Sequence, residues 1–322
     1  MGHRIVLSRL VALLATGMVF ATCRESTEPL APDPAEPRLG TASEAGLHGT
    51  IAFHSNRDGS FEIYVMHANG SGVTRLTNNA YHEFDPIWSP NGRQIAVGRI
   101  VGSNFEIVLI NADGSGEARL TSNDVFDFPG AWSPDGKRIA FASDRDGVFG
   151  IFVMNVDGTG AIRLIDDGFP TAWSPDGKQI LFQSGRDGNT EIYVMNVDGT
   201  GVTRLTPHSD SDEGAHAGWS PNGKQIVFSS RRDGGDLDLF VMNGDGSGVR
   251  QLTFNDGIED DDPVWSPNGR RIAFHSTRDG DEEIFVINAD GSGPTQLTHN
   301  TVLADGTPIF DAVPAWRARP LR

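Results

Sequence analysis

The sequence has little cysteine, little positive charge and no long apolar run. Cys23 is the one cysteine among 322 residues, which excludes an intramolecular disulfide and a cysteine metal cluster. Lysine and arginine number 26 against 43 acidic residues, for a formal net charge of −17. Nucleic-acid binding is disfavoured, because it depends on basic side chains that neutralise phosphates. A basic or cationic partner is favoured instead.

The main apolar run is Leu10–Phe20, which follows the basic residues Arg4 and Arg9. A run of this length is too short to span a bilayer as a helix. The order of charge followed by an apolar run is typical of a secretory signal peptide. Residues 1–23 are therefore predicted to be an export signal.

Cys23 stands directly after this run. The stretch Val19–Cys23 resembles a bacterial lipobox, in which the cysteine is lipidated and becomes the new N-terminus. Ala21 fits that motif, whereas Phe20 and Thr22 depart from it. Two alternatives stay open: a lipoprotein of the outer membrane anchored through Cys23, or cleavage nearby and release as a soluble periplasmic or secreted protein. Both place the protein outside the cytoplasm.

Residues 24–46 are rich in Pro, Glu, Ala and Ser and have few large apolar side chains. Such a segment cannot bury enough surface to offset the entropy of ordering it, so we expect a disordered tether. The predicted architecture is this tether, a folded domain over residues 47–317, and a tail over 318–322.

The folded domain consists of six repeats, which begin at Ile51, Ile95, Ile139, Ile180, Ile226 and Ile272. Each repeat contains four short runs of β-branched and aromatic residues bounded by Gly, Asp, Asn or Pro, a pattern typical of strands joined by tight turns. Runs such as "IYVM" are apolar at every position, which indicates sheets buried on both faces. Each repeat ends in a tryptophan, namely Trp88, Trp132, Trp173, Trp219, Trp265 and Trp316. The pattern predicts an all-β, six-bladed propeller of four-stranded antiparallel blades.

An Asp-Gly-Ser/Thr-Gly element separates the second and third runs of most repeats, as in "NVDGTG" at 155–160. One interpretation is a hairpin turn, in which glycine supplies a positive φ. The other is a calcium loop, because residues 155–166 place Asp166 at the last position of an EF-hand pattern. The other five copies have no carboxylate there, so the turn is favoured.

The motif "WSPDGKRIAFASDRDG" (132–147), followed by "IFVMNVDGTGAIRL", resembles the WD40-like PD40 repeat of TolB-type β-propellers. The resemblance covers about residues 50–317 and implies a binding propeller of the cell envelope. TolB proteins carry an α/β domain before the propeller, to which residues 24–46 do not correspond. The second repeat departs from the motif, with "GRIVGSNFEI" where the others have Arg-Asp-Gly, and the third lacks a Glu before "IFVM".

The two ends of the domain are complementary. The chain enters at the strand "TIAFHS" and the last repeat stops after Trp316. We expect that last strand to pair with residues 50–55, because closing the ring removes exposed sheet edges.

A ligand site is expected on the face that carries the Arg-Asp-Gly turns, because its loops vary in length. If the tryptophan strands are innermost, as in related propellers, acidic side chains five residues before each Trp ring the channel mouth, at Glu83, Asp127, Asp260 and Asp311. Three residues before the Trp, and deeper, stand Asp85, His216 and Asp262.

Carboxylates this close together repel one another, so they need cationic partners. They either pair with the turn arginines as braces between blades, or bind a Ca²⁺ or Mg²⁺ ion or a basic ligand. His54 and His275 are interpreted as packed strand residues. His208 and His216, with Asp210, Asp212 and Glu213, form a weak metal candidate in one loop.

We predict a non-catalytic, monomeric binding protein without a cofactor, the channel-mouth cation being the open exception. Its partner is an envelope protein or peptide with basic groups. Apart from the lipid of the lipoprotein alternative, no membrane contact is expected. The alternatives are a channel-sited carbohydrate lyase or hydrolase, metal-dependent in one version, and a purely structural or sensory module. A G-x-S-x-G elbow is lacking, which disfavours a prolyl-peptidase-like enzyme.

Overall fold

The computed structural model describes residues 49–206, 216–232, 235–300, 302–303 and 305–317. These residues form strands and no helix, so none of them lies in a helix suited to crossing a membrane. The predicted signal peptide with Cys23, the predicted tether over 24–46 and the tail over 318–322 lie outside the described residues.

The strands form six four-stranded antiparallel sheets, which we call blades 1 to 6. Blade 1 contains β24 (Asp311–Trp316), β1 (Thr50–Ser55), β2 (Glu62–His67) and β3 (Thr74–Arg75). Blade 2 contains β4 (Glu83–Trp88), β5 (Gln94–Val101), β6 (Asn104–Asn111) and β7 (Ala118–Arg119). Blade 3 contains β8 (Asp127–Trp132), β9 (Arg138–Ser143), β10 (Gly150–Asn155) and β11 (Ile162–Asp166).

The remaining three blades repeat this order. Blade 4 contains β12 (Phe169–Trp173), β13 (Gln179–Ser184), β14 (Glu191–Asn196) and β15 (Thr203–Arg204). Blade 5 contains β16 (Gly218–Trp219), β17 (Gln225–Ser230), β18 (Asp238–Asn243) and β19 (Arg250–Gln251). Blade 6 contains β20 (Asp260–Trp265), β21 (Arg271–Ser276), β22 (Glu283–Asn288) and β23 (Thr295–Gln296).

The tryptophan strands β4, β8, β12, β16, β20 and β24 contact one another in sequence around a complete circle. They are therefore the innermost strands. β24 closes the ring by pairing with β1, with Trp316 opposite Ile51 and Asp311 opposite Ser55. The Arg317 amide extends this pairing by donating to the Thr50 carbonyl at 2.8 Å. The predicted six-bladed fold and its closure are confirmed.

The hydrophobic core lies between the blades. One buried cluster joins Ile107 and Leu109 of blade 2 to Trp132, Phe141 and Phe152 of blade 3. Corresponding clusters occupy the other five interfaces between blades. Because each blade buries its apolar faces only against neighbours, the closed ring and not the single blade is the unit of stability.

The Asp-Gly-Ser/Thr-Gly elements are hairpin turns, as predicted. In blade 3, Asp157 Oδ1 accepts from the Thr159 amide at 3.0 Å, and Gly158 has a φ of +83°. The turn also touches the preceding blade, because a Cβ at Gly158 would lie 2.5 Å from the Leu120 carbonyl oxygen. Glycine is required there both for its φ and for this close approach.

Candidate functional site

The four carboxylates predicted at the channel mouth are fully buried and paired with arginine. Asp127 accepts from Arg145 at 2.9 Å and Asp260 from Arg278 at 2.9 Å. The same arrangement joins Asp311 to Arg57 and Glu83 to Arg99. Each arginine belongs to the same sheet as its carboxylate, so the prediction of braces between blades is wrong on that point. Removing one partner of such a buried pair costs about 3–5 kcal/mol.

The turn arginines are held by a second contact. The Arg145 guanidinium lies 4.7 Å from the ring centre of Phe141 and 5.2 Å from that of Phe152. Equivalent cation–π contacts occur at Arg57, Arg186, Arg232 and Arg278. The Arg-Asp-Gly motif therefore fixes a guanidinium over the aromatic pair of its own blade.

Blade 2 lacks the Arg-Asp-Gly motif, and a strand residue takes its place. Arg99 of β5 donates through Nε to Glu83 at 2.8 Å and also pairs with Glu117. Arg99 is itself buried. Blade 2 therefore keeps the carboxylate–guanidinium pair, although its arginine lies on a strand and not in the turn.

The innermost strands bulge three residues before the tryptophan. The φ value at this position is 49° for Asp85, 65° for His216, 53° for Asp262 and 52° for Val313. This left-handed conformation costs about 1–2 kcal/mol for a residue with a Cβ. Blades 3 and 4 have proline at the same position, where the ring keeps φ negative. A bulge turns its side chain away from the regular strand direction, and here three polar side chains meet.

His216 of blade 5 lies between two of these carboxylates. Its Nδ1 is hydrogen-bonded to Asp262 of blade 6, and its Nε2 lies 3.8 Å from Asp85 Oδ2 of blade 2. Blades 2 and 5 are opposite one another in a ring of six. The contact between His216 and Asp85 therefore crosses the channel.

Three more residues complete this group, which we call the axial cluster: His54, Asp85, His216, Asp261, Asp262 and His275. His275 Nδ1 lies 3.2 Å from Asp262 Oδ2, and the Asp85 amide donates to His54 Nδ1 at 3.3 Å. Asp261 accepts from the Ser229 hydroxyl. His54 and His275 are buried strand residues, as interpreted from the sequence, but their contacts with Asp85 and Asp262 were not predicted.

The axial cluster compensates most of its own negative charge. Burial alone lowers the pKa of His216, but the Asp262 and Asp85 carboxylates outweigh it and raise the pKa to about 9. The same competition between burial and Asp262 raises the pKa of His275 to about 10. Burial raises the pKa of Asp261 to about 6, with the Asp262 charge adding to the rise. Burial opposes ionisation of Asp262, yet both imidazoliums hold its pKa well below its usual range. Two imidazoliums therefore compensate two of the three aspartates near neutral pH.

Two groups of described side chains have metal-ligand atoms within 4.8 Å of one another. The first, Asp261, Asp262 and His275, belongs to the axial cluster, and because Asp262 raises the pKa of His275 to about 10, we interpret it as an ion-paired group. The second, Asp279, Asp281 and Glu283, lies between β21 and β22.

The expected Ca²⁺ or Mg²⁺ at the channel mouth stays a prediction, and the carboxylates that were to hold it contact arginine or histidine. His208, Asp210, Asp212 and Glu213 lie outside the described residues.

The Arg-Asp-Gly face also carries aromatic residues that the sequence analysis did not single out. Phe61 and Phe84 have ring centres 4.9 Å apart, Phe84 and Phe105 are 5.9 Å apart, and Phe105 and Phe126 are 5.3 Å apart. We call the whole chain of contacting rings the aromatic arc: Phe61, Phe84, Phe105, Phe126, Phe128, Phe149, Phe169 and Phe310. It follows blades 1 to 4, and five of its rings are half-buried rather than buried.

Blades 5 and 6 complete the same face with acidic side chains. The loops at that end of their strands carry the exposed residues Asp256 and Asp279 and the half-buried residues Asp236 and Asp281. Exposed aspartates also stand on this face in blades 1 to 4, at Asp58, Asp124, Asp146 and Asp187, so the face combines an aromatic arc on one side with acidic side chains around the whole ring. Such a surface suits a segment that combines apolar and basic side chains.

The repeated turns, the inward tryptophan strands and the closed ring define a six-bladed β-propeller built from WD40-like repeats. A family model described as "TolB beta propeller domain" (PD40) matches residues 76–170, 130–231, 167–261 and 214–309. These matches together cover more than half of the chain. The chain belongs to the TolB β-propeller domain family.

Individual proteins match over shorter stretches or at lower identity. The Tol-Pal system protein TolB of Geobacter sulfurreducens is 42% identical over 55 residues, which are 17% of this chain and 13% of that protein. The crystal structure of TolB from Acinetobacter baumannii has a TM-score of 0.73 at 21% identity and matches 85% of this chain and 68% of that one. A structure of oligogalacturonate lyase in complex with manganese is more distant, with a TM-score of 0.56 at 13% identity over 80% of this chain and 76% of that one. The two structures are similar to this chain in fold.

Proposed function

We propose that this protein is an exported, non-catalytic binding propeller of the bacterial cell envelope, with a scaffold role like that of the Tol-Pal system protein TolB. Its partner is an envelope protein or peptide that presents basic and apolar side chains to the Arg-Asp-Gly face. Family membership supports the class of protein, and the combination of an aromatic arc with exposed acidic side chains on this face is the observation that supports the partner chemistry.

The aromatic arc supplies contact area. Half-buried rings such as Phe61, Phe84 and Phe126 lose little conformational freedom on binding, because their neighbours already hold them. Tyr81 stands at the edge of the arc, 42% exposed, with the Arg99 guanidinium 5.2 Å from its ring centre. Aromatic side chains of this kind are enriched at protein interfaces.

The acidic side chains of this face and the axial cluster supply charge. The net charge of −17 steers basic segments towards the protein, and the effect weakens as salt rises. In this proposal Asp85, His216 and Asp262 contact the partner at the axis. Four further carboxylates support the site indirectly, because their arginine partners hold the loops in place. They are Glu83, Asp127, Asp260 and Asp311.

Export in this proposal depends on residues 1–23. Cys23 carries a lipid if the stretch that resembles a lipobox is processed as one, and the chain is released into the periplasm or secreted otherwise. Either outcome places the propeller outside the cytoplasm.

The test is site-specific photo-crosslinking of the mature chain in envelope extracts. A photoreactive phenylalanine analogue at Tyr81 reports on the aromatic arc. The matched control places it at Val249, which is similarly exposed at 40% but lies in the turn between β18 and β19 at the opposite end of the propeller. We expect one envelope protein to cross-link at Tyr81, with a yield that falls as salt is raised, and not at Val249.

Cross-links at Val249 alone, or no salt-dependent adduct at Tyr81, would contradict the proposal. So would turnover of a polysaccharide or oligogalacturonide that is lost in a His216→Ala/Asp262→Asn variant. That result would favour the lyase or hydrolase alternative, which has only a distant similarity of fold in its support.

A further inference from the structure

The outermost strands of the blades differ in length, and blade 3 is the exception. Among the described residues, β3, β7, β15, β19 and β23 each span two residues, whereas β11 spans the five residues Ile162–Asp166. In the order of the described strands, β11 ends its sheet and pairs with β10 on one side. The other edge of such a strand offers a row of backbone donors and acceptors to another chain.

A threonine and an acid end the outermost strand early in the other blades. In blade 1 the Thr77 hydroxyl accepts from the Ile63 amide at 2.9 Å and donates to the buried Glu62 at 2.6 Å. Blade 5 repeats this with Thr253, which accepts from the Leu239 amide at 2.9 Å. The hydroxyl thereby takes the place of a backbone acceptor, so the strand pairing stops at this point.

Blade 3 has neither residue of this pair. Ile165 stands where the other blades have threonine, and Gly150 stands where they have glutamate or aspartate. Backbone pairing therefore continues, with Ile165 opposite Ile151 and Asp166 opposite Gly150. A Cβ at Gly150 would lie 2.6 Å from the Ile165 carbonyl oxygen, so glycine is what allows the longer strand to approach its neighbour.

The side chains around this edge are apolar and acidic. Ile162 is 59% exposed, and Val148 in the adjoining Arg-Asp-Gly loop is also exposed. Arg163 is turned back onto its own blade, where it donates to the Val148 carbonyl at 3.1 Å and pairs with Asp166 at 2.7 Å and with Asp146 at 3.4 Å. Both aspartates remain exposed. The surface therefore suits a segment with apolar and basic side chains.

The same edge adjoins the face to which the partner is proposed to bind. The Asp167 amide, directly after β11, donates to the Phe149 carbonyl at 2.9 Å. Phe149 belongs to the aromatic arc, with its ring centre 6.0 Å from that of Phe126. A segment that follows the arc as far as blade 3 therefore arrives at the end of β11.

We propose that the outer edge of β11 binds an extended segment of the partner as an added strand, and that this segment alternates basic and β-branched side chains. In such complexes the backbone hydrogen bonds supply affinity and the alternate side chains supply specificity. Ile162 contacts the apolar side chains, and Asp146 and Asp166 pair with the basic ones. The inference rests on the proposed function, because the aromatic arc determines where the segment arrives.

The experiment measures binding of a short fluorescent peptide of alternating lysine and valine to the mature chain by fluorescence anisotropy. A second peptide has the same sequence but carries N-methyl groups on adjacent central amides, which removes backbone donors from both of its edges and leaves its charge unchanged. We expect the N-methylated peptide to bind more than about tenfold more weakly. Attraction by charge alone would not distinguish the two peptides.

Two variants of the protein test the position of the added strand. Ile162→Lys places a cation on the exposed edge and should weaken binding of the unmodified peptide more than about tenfold. Gly150→Glu/Ile165→Thr restores the acid and threonine of the other blades, with Arg163 in place to pair with the new glutamate, and should have the same effect. Thr203→Lys is the matched control, because Thr203 is exposed and occupies the corresponding position of β15 in blade 4, and it should bind as the wild type does.

The inference is overturned if the unmodified peptide does not bind, if both peptides bind equally, or if Ile162→Lys binds as tightly as the wild type. Dimerisation of the wild type that Ile162→Lys abolishes would also overturn it, because a second copy of the chain would then occupy the edge. The cross-link at Tyr81 does not depend on β11, so it decides the proposed function separately from each of these results.

Discussion

The innermost strands carry buried charged residues at two depths along the channel. The upper level pairs with arginine, as Asp127 does with Arg145, and the lower level pairs with histidine, as Asp262 does with His216. Val313 adopts the same left-handed φ as Asp262 although its side chain is apolar and β-branched. The bulge is therefore a property of the inner strand, and the charged side chains make use of it.

At this scale we predict that stability falls as pH rises from about 6.5 to 10. The pKa of His275 is about 10 and that of His216 about 9, against an ordinary value of 6.5. The folded state binds these protons more tightly than the unfolded state, so their contribution is complete below pH 6.5 and is lost as pH rises through the folded pKa. The loss should be on the order of 3 kcal/mol. Urea unfolding at a series of pH values measures it.

A His275→Gln variant should flatten this pH dependence, because the proton is no longer bound in the folded state. His299→Gln is the matched control, since His299 is exposed and outside the axial cluster. An unchanged slope in His275→Gln would refute the assignment.

At the scale of elements, the hairpin turns between the third and fourth strands of each blade, such as the turn between β2 and β3, join neighbouring blades. In every blade, a Cβ on one glycine of this turn would lie 2.3–2.7 Å from a leucine carbonyl oxygen of the preceding blade. These glycines are Gly70, Gly114, Gly158, Gly199, Gly246 and Gly291. The turn is thus also a packing element, which explains why it recurs in every blade although no ligand is needed to account for it.

We predict that Gly158→Ala destabilises the protein by about 2–4 kcal/mol, because it combines an unfavourable φ with a clash against backbone. Gly147→Ala is the matched control in the same blade. Gly147 has a similar φ of +80°, but a Cβ there would meet nothing within 4 Å, so the cost should be about 1 kcal/mol. Chemical unfolding of both variants measures the difference, and equal costs would show that the contact between blades is unimportant.

At the scale of the whole molecule, one strand holds the ring closed. β24 pairs with β1 along its length and contributes Asp311, which pairs with Arg57. The junction between the first and last blades therefore depends on this one strand.

We predict that a chain ending at Leu303, which lacks β24, loses more than about 10 °C in its unfolding midpoint and tends to aggregate, because the edge of β1 is exposed. A chain ending at Arg317 keeps every described strand and should unfold as the full chain does. Differential scanning calorimetry and size-exclusion chromatography distinguish the two. A peptide of residues 308–317 should restore the lost midpoint by strand addition, and wild-type stability without β24 would contradict the expectation.

The fold could be predicted from the sequence because its signals are local and repeated. Four apolar runs per repeat, a tryptophan in a constant slot and a glycine turn between strands each report on a few neighbouring residues, and six copies made the pattern unambiguous. Even the closing strand was predictable, because "TIAFHS" and the segment ending at Trp316 each lacked a partner.

Pairing at the site was not predictable in the same way. The sequence determined which residues stand five and three positions before each tryptophan, and hence their depth in the channel. Only the tertiary structure decided that Arg99 replaces a turn arginine for Glu83, that His54 and His275 join the axial cluster, and that His216 meets Asp85 from the opposite blade. Depth follows from the spacing along one strand, whereas charge compensation depends on which distant strands the closed ring brings face to face.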